Sequence, residues 1–109
     1  MFEIYQSPKN KQFHFRLKAR NHQIILTSQA YKTKASCKTG IKSVQRNASK
    51  PNSFTLKTAK NGKPYFTLNA RNGEVIGSSQ MYQSAAGRRK GMASVGNNSA
   101  GAEIKDLTQ

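Results

Sequence analysis

The sequence predicts an α+β fold in one domain, made of two similar halves. Three observations predict it. The chain of 109 residues matches itself at a fixed offset, with Phe15 falling on Phe66, Leu17 on Leu68 and Ala19-Arg20-Asn21 on Ala70-Arg71-Asn72. The same offset sets Ile25 on Ile76, Ser28-Gln29 on Ser79-Gln80, Tyr31 on Tyr82, and Gly40, Ser43 and Val44 on Gly91, Ser94 and Val95. Second, Phe13, Phe15, Leu17 and Ala19 alternate with His14, Arg16, Lys18 and Arg20, the period of a half-buried strand. Third, Cys37, Ile41, Val44 and Ala48 recur at spacings of four, three and four, which puts them on one stripe of a helix. Two copies are too few for a solenoid. Two separate domains of half this length would each be marginal. The halves, about residues 2–52 and 53–107, are therefore expected to share one core within a single domain spanning 1–109.

The elements follow in order. Phe2 to Gln6 alternates as a strand, and Ser7-Pro8-Lys9-Asn10-Lys11 is turn chemistry. The strand of Phe13 to Ala19 leads to a two-residue turn at Asn21-His22, matched by Asn72-Gly73 in the second copy. Gln23 to Ser28 is the third strand. Thr33 is placed to cap a helix running to about Asn47, and Pro51 stops it. Along that helix Lys34, Lys38, Lys42 and Arg46 fall four apart. Gly40, and Gly91 in the second helix, each cost about 1 kcal/mol relative to Ala in mid-helix. Their repetition predicts a close approach to the helix backbone. Phe54 to Thr58, Tyr65 to Ala70 and Glu74 to Ser79 are strands, with a turn at Lys60-Asn61-Gly62-Lys63. Ser84 caps a second helix to about Asn97, a loop covers Asn97 to Gly101, and Glu103 to Leu107 forms a short last strand.

The pattern of a strand, Phe-x-Leu-x-Ala-x-Asn, Ile-Ile, Ser-Gln-x-Tyr and a helix with Gly-Ile-x-Ser-Val resembles the YegP-like family. These are small bacterial proteins without an established activity, often built as tandem repeats. Phe15, Leu17, Ala19, Asn21, Ile24, Ile25, Ser28, Tyr31, Gly40, Ile41, Ser43 and Val44 carry the likeness, and the second copy repeats it from Phe66 to Val95. The resemblance implies a β-β-β-α-β unit used twice. The units would form one antiparallel sheet with both helices on one face, related by a pseudo-two-fold, their last strands exchanged. It implies no catalytic residues.

Composition bears on partners. The chain carries 19 Lys and Arg against 4 Asp and Glu, for a net charge of +15. Residues 1–52 contribute +10 and residues 53–109 contribute +5. Such a field attracts nucleic acid or another polyanion. Cys37 is the single cysteine, which suits a reducing compartment. Residues 1–9 hold no apolar run of signal or membrane-span length, so a cytoplasmic protein with no membrane association is expected.

No enzyme activity and no cofactor are expected. Glu3, Glu74, Glu103 and Asp106 are scattered, and no two form an acid–base pair by spacing. His14 and His22 lack neighbours at metal-ligand spacing. Cys37 lies on the core stripe, and its counterpart is Arg88. Gly87-Arg88-Arg89-Lys90-Gly91 lacks the ending of a phosphate loop. The Ser-Gln-x-Tyr segments read first as structural, each tyrosine packing at a helix start. A second reading is a small anion or ligand site at the helix N-terminus.

The strand face opposite Phe15 and Leu17 is the leading candidate. It would expose Tyr5, His14, Arg16, Lys18, Arg20 and Tyr65, with Lys57 nearby. Cations track phosphates and rings stack on bases in single-strand binders. The expected function is thus weak, non-specific nucleic-acid binding by a monomer whose two units complete each other. The alternative is a protein-interaction or stress-related module.

Overall fold

The computed structural model describes residues 1–108. Its strands are β1 (Phe2–Gln6), β2 (Phe13–Lys18), β3 (Ile24–Ser28), β4 (Phe54–Thr58), β5 (Pro64–Asn69), β6 (Val75–Ser78) and β7 (Ile104–Asp106). Helix α1 (Lys34–Asn47) follows β3, and α2 (Ala85–Ser99) follows β6. All seven strands form one sheet in the order β4-β5-β6-β3-β2-β1-β7. Each half supplies a three-stranded meander, and the meanders join where β3 pairs antiparallel with β6.

The α+β reading holds, with both helices against the apolar side of the sheet. The sheet is mixed, however, and not wholly antiparallel. β7 runs parallel to β1, with Phe2 opposite Ile104 and Ile4 opposite Asp106. A helix separates β7 from the second meander and carries the chain across the sheet. It therefore arrives at the far edge running in the same direction as β1. The exchange of last strands is also one-sided. β7 crosses to the first unit, whereas the chain leaving α1 turns through a short 3-10 segment (Pro51–Ser53) straight into β4.

Period two separates the two faces of the sheet. Phe2, Ile4, Phe15, Leu17, Phe66 and Leu68 are fully buried beneath the helices. In both halves a bulge interrupts this alternation. Leu17 opposes Leu26 while Lys18 opposes Ile24, which leaves Ile25 as the extra residue. Leu68, Gly77, Asn69 and Val75 repeat the arrangement around Ile76. The bulge lets consecutive residues Ile25 and Leu26 both be buried.

The hairpins differ from the expected two-residue turns. His22 N–H bonds to Ala19 C=O at 2.9 Å and Ala19 N–H to Gln23 C=O at 2.9 Å, a three-residue loop. The positive φ falls on its last residue, His22 (φ 67), Gly73 (φ 87) or Gly62 (φ 84), and not on the asparagine. Each asparagine instead accepts from the backbone two residues on: Asn21 from Gln23, Asn72 from Glu74 and Asn61 from Lys63, all at 3.0 Å. Helix α2 also runs past Asn97 to Ser99. The Asn98 amide is satisfied within it by donating to Ser94 C=O at 2.8 Å, as Asn47 does to Ser43 C=O in α1.

The caps are as read. Thr33 Oγ1 accepts from Ser36 N–H at 3.1 Å and Ser84 Oγ from Gly87 N–H at 3.0 Å. Each mid-helix glycine faces a tyrosine of its own unit. A Cβ on Gly40 would collide with the Tyr31 hydroxyl, lie 2.8 Å from Tyr31 Cζ and 3.0 Å from Phe15 Cε2. A Cβ on Gly91 would collide with the Tyr82 hydroxyl and ring. Tyr31 stacks on Phe15 at 6.2 Å and Tyr82 on Phe66 at 6.1 Å, so neither ring is free to retreat.

Overpacking of this kind costs about 1–3 kcal/mol. Gly40→Ala and Gly91→Ala are each expected to lose that much stability in urea denaturation, despite alanine's better helix propensity. A second prediction concerns β7. The hydrogen bond from the Thr108 hydroxyl, then that from Lys34 at 2.9 Å, hold the Asp106 carboxyl down to about 2. A depressed carboxylate stabilises the fold above its unfolded value of 3.8, and the contribution is lost as pH falls through about 2. Amide exchange at Leu107, whose N–H bonds to Ile4 C=O at 2.8 Å, is expected to accelerate over that window. Asp106→Asn should remove the pH dependence.

Candidate nucleic-acid interface

The register of β1 and β2 brings four of the six expected residues together. Tyr5 lies opposite His14, and Glu3 opposite Arg16, on the uncovered face. The Tyr5 and His14 rings stack at 5.3 Å and 12°. The Arg16 guanidinium sits over the Tyr5 ring at 4.8 Å. Tyr5 is thus already engaged by two side chains, and a base would have to displace one of them to stack on the occupied surface.

Glu3 changes the electrostatics of this cluster. It is only 6 % exposed and lies between two cations. Arg16 Nε donates to Glu3 Oε1 at 2.8 Å, and Lys18 Nζ approaches the same oxygen at 3.2 Å. The hydrogen bond from Arg16 does most to hold the Glu3 carboxyl below its ordinary value, against the opposing effect of burial. The strongest basic strand in the sequence is therefore partly neutralised. Lys105 of β7 falls opposite Glu3 on the other side.

Arg20 and Tyr65 stand apart. Arg20 is exposed in the β2–β3 turn, beyond the end of the strand. Tyr65 shares the open face, opposite Lys57 of β4. In sheet order β3 and β6 intervene between β2 and β5, a separation of roughly 14 Å at the usual strand spacing. The strip between, β3 and β6, carries no charged residue, and Thr27 lies opposite Ser78 where the two strands pair.

A second basic site went unread in the sequence. Lys50 and Arg71 line two adjoining clefts of about 340 and 680 Å³ where α1 ends beside the β5–β6 turn, and Arg46 joins them in the smaller one. Asn47, Asn52 and Asn72 line the same clefts, and no acidic residue does. The sequence marks these residues singly, Arg46 as the end of the four-apart stripe and Arg71 in the repeated Ala-Arg-Asn, but not their meeting. The counterparts of Arg46 and Lys50 are Asn97 and Gly101, so the fold does not require these cations. Lys34, Arg16 and Lys18 are the cations in ion pairs among the described residues, and Arg46, Lys50 and Arg71 are not.

The Ser-Gln-x-Tyr segments are structural first. Ser28 Oγ accepts from Phe15 N–H at 2.9 Å and donates to Gln29 C=O at 2.7 Å; Ser79 does the same with Phe66 and Gln80, at 3.0 and 2.7 Å. Clefts of about 400 and 350 Å³ open beside Tyr31 and Tyr82. Their charges differ, since Glu74 lines the first and Lys90 the second. The Tyr82 hydroxyl is buried without a hydrogen-bond partner. Burial raises its pKa, and the nearby Gln80 side chain partly opposes this without reaching bonding geometry. Burial also pushes the Cys37 thiol up to about 11, which leaves it protonated at neutral pH. Among the described residues no three of His, Cys, Asp and Glu gather as a metal site, and no helix is long and apolar enough to cross a membrane.

A buried hydroxyl with no partner is destabilising. Tyr82→Phe is therefore expected to be neutral or to stabilise by up to about 1 kcal/mol, read from denaturant midpoints, whereas Tyr82→Ala should destabilise strongly by emptying the site over Gly91.

Comparison with known proteins places these features in context. The family described as a domain of unknown function (DUF1508) matches twice, over residues 9–53 and 59–106. A UPF0339 protein of Acinetobacter baylyi is 52% identical over 98% of this chain and 96% of its own. The UPF0339 protein YegP of Escherichia coli is 49% identical, with the same shares covered. The solution NMR structure of the Escherichia coli protein of unknown function yegP superposes with a TM-score of 0.91 at 46% identity, covering 97% of this chain and 90% of that one. That of a UPF0339 protein from Shewanella oneidensis gives 0.90 at 46% identity, covering 97% and 89%.

Proposed function

The chain belongs to the DUF1508 family of UPF0339 proteins, which is defined without an assigned activity, and from that premise we propose that it is a binding protein rather than an enzyme, holding nucleic acid weakly and without sequence preference. The observation that carries this reading is the cleft of Arg46, Lys50 and Arg71, three cations converging with no acid to neutralise them. Phosphate oxygens accept from guanidinium and ammonium groups, and the lining asparagine amides offer further donors. Single-stranded backbone fits better than duplex. The cleft lined by all three cations, of about 340 Å³, takes a phosphate and its sugar, not the width of a double helix.

The open sheet face supports the same reading as a secondary surface. Tyr65 and Lys57 lie side by side there. Arg16 and Lys18 contribute less than their charge suggests, because Glu3 holds both. Nothing in the clefts or the acid distribution supports catalysis, and the protonated Cys37 is no nucleophile. The lone buried cysteine suits a cytoplasmic setting, where such a ligand is abundant.

Fluorescence anisotropy with labelled single-stranded DNA and RNA at low salt tests the proposal. Each phosphate contact to a single strand adds about 0.7 to the slope of log affinity against log salt. The variant Arg46→Ser, Lys50→Ser, Arg71→Ser is thus expected to reduce that slope by about 2 and weaken binding several-fold. Arg16→Ser with Lys18→Ser should lose less, and Glu3→Gln should tighten binding. Absence of binding, or a triple variant equal to the parent, rejects the reading.

A further inference from the structure

The two outer edges of the sheet are equivalent by the repeat but not in their cover. Phe54 and Leu56 of β4 oppose Leu68 and Phe66, as Phe2 and Ile4 of β1 oppose Leu17 and Phe15. β7 covers β1. Phe2 N–H donates to Glu103 C=O at 2.8 Å, and Ile4 C=O accepts from Leu107 N–H at 2.8 Å. Phe2 and Ile4 are consequently 0 % exposed. Among the described residues no strand covers β4, and Leu56 is 57 % exposed. By the same register the Leu56 N–H and C=O point away from β5, and neither has a described backbone partner.

Beside this edge runs an apolar groove of about 410 Å³, lined by Ala48, Pro51, Phe54, Met92, Ala93 and Gly96. In the first unit the corresponding place is occupied: Gln45 stands in the place of Gly96 and donates to Ser99 C=O at 3.2 Å, while Ala102 packs on the core. In the second unit the equivalent carbonyl, that of Ala48, faces the bare Gly96.

We propose that the outer edge of β4, with the groove beside it, accepts an extended acidic segment of a partner protein as an eighth strand parallel to β4. β7 defines the chemistry. Its segment holds Glu103 and Asp106, two of the four acids in the chain, and Asp106 reaches Lys34 at the start of α1 at 2.9 Å. On the β4 side Arg88 donates to Lys57 C=O at 3.0 Å, Arg89 lines the groove, and no acid does. The site thus presents strand-pairing groups, an apolar groove for side chains and positive charge together. A second copy is the weaker occupant, because two chains of +15 repel.

The test is an NMR titration of the isotope-labelled full chain with an acetylated peptide copying Gly101 to Thr108. Shifts are expected at Phe54 to Thr58 and along Arg89 to Gly96, with saturation below millimolar concentration. Leu56→Pro removes the outward N–H and no N–H that pairs with β5, a change an edge strand tolerates, and should weaken binding at least tenfold while the signals of Phe66 and Leu68 stay in place. Gly96→Gln, which copies the first unit, should weaken it independently of any disturbance to β4. A peptide with Glu103→Lys and Asp106→Lys should not bind. Equal binding of that peptide, shifts confined to β1 or scattered over the cations, or insensitivity to both variants would overturn the proposal. So would a dimer of the unliganded chain, detected by sedimentation, that Leu56→Pro dissociates.

Discussion

Each helix rests on the sheet through a tyrosine laid across a glycine. Tyr31 meets Gly40 and Tyr82 meets Gly91, with Phe15 and Phe66 stacked behind the rings. Much else depends on this contact. It holds each helix close to the sheet. It orients the Ser-Gln segment whose serine satisfies an N–H of the preceding strand, Phe15 in β2 or Phe66 in β5. It leaves the shallow clefts beside the tyrosines as a by-product of packing. The helix pays for the glycine in propensity and gains a fixed approach distance, twice in the same way.

Charge obeys no such constraint. The residues repeated across the halves are those that pack or turn. The cations mostly are not: Arg16 and Lys18 are matched by Thr67 and Asn69, and Arg46 and Lys50 by Asn97 and Gly101. Net charge acts on solubility and partners, not on fold, so the surface is free to diverge between two units that share one architecture. The sharing of Glu3 between Arg16 and Lys18 brings that divergence down to a single side chain. The counterpart strand, β4, has no acid in it.

Most of the architecture was legible because it rests on periodicity and repetition. The repeated glycines announced a close approach. Their partner was not announced, because a tyrosine before a helix can point in several directions until the sheet beneath is known. The asparagine-glycine turns were misread by one residue, since the side chain of Asn72 bonds the backbone while Gly73 alone carries the positive φ. The parallel course of β7 left no mark, because three residues of strand carry no direction. For the site, alternation gave the correct face for Tyr5, His14, Arg16, Lys18 and Tyr65. It could not give strand order, and strand order sets Tyr65 far from the rest. Nor could it give register, by which Glu3 meets Arg16. The cleft of Arg46, Lys50 and Arg71 joins a helix end to a turn from the other half, a juxtaposition no local pattern encodes.

The pairing of β7 with β1 has a consequence for the order of events during synthesis. β1 leaves the ribosome well before its outer neighbour β7. Everything between them, both helices and five strands, emerges while that edge is bare. A naked edge is a template for wrong partners, and a contact between such distant segments forms slowly. Like charges repel, so a net charge of +15 opposes the pairing of open edges between copies of this chain.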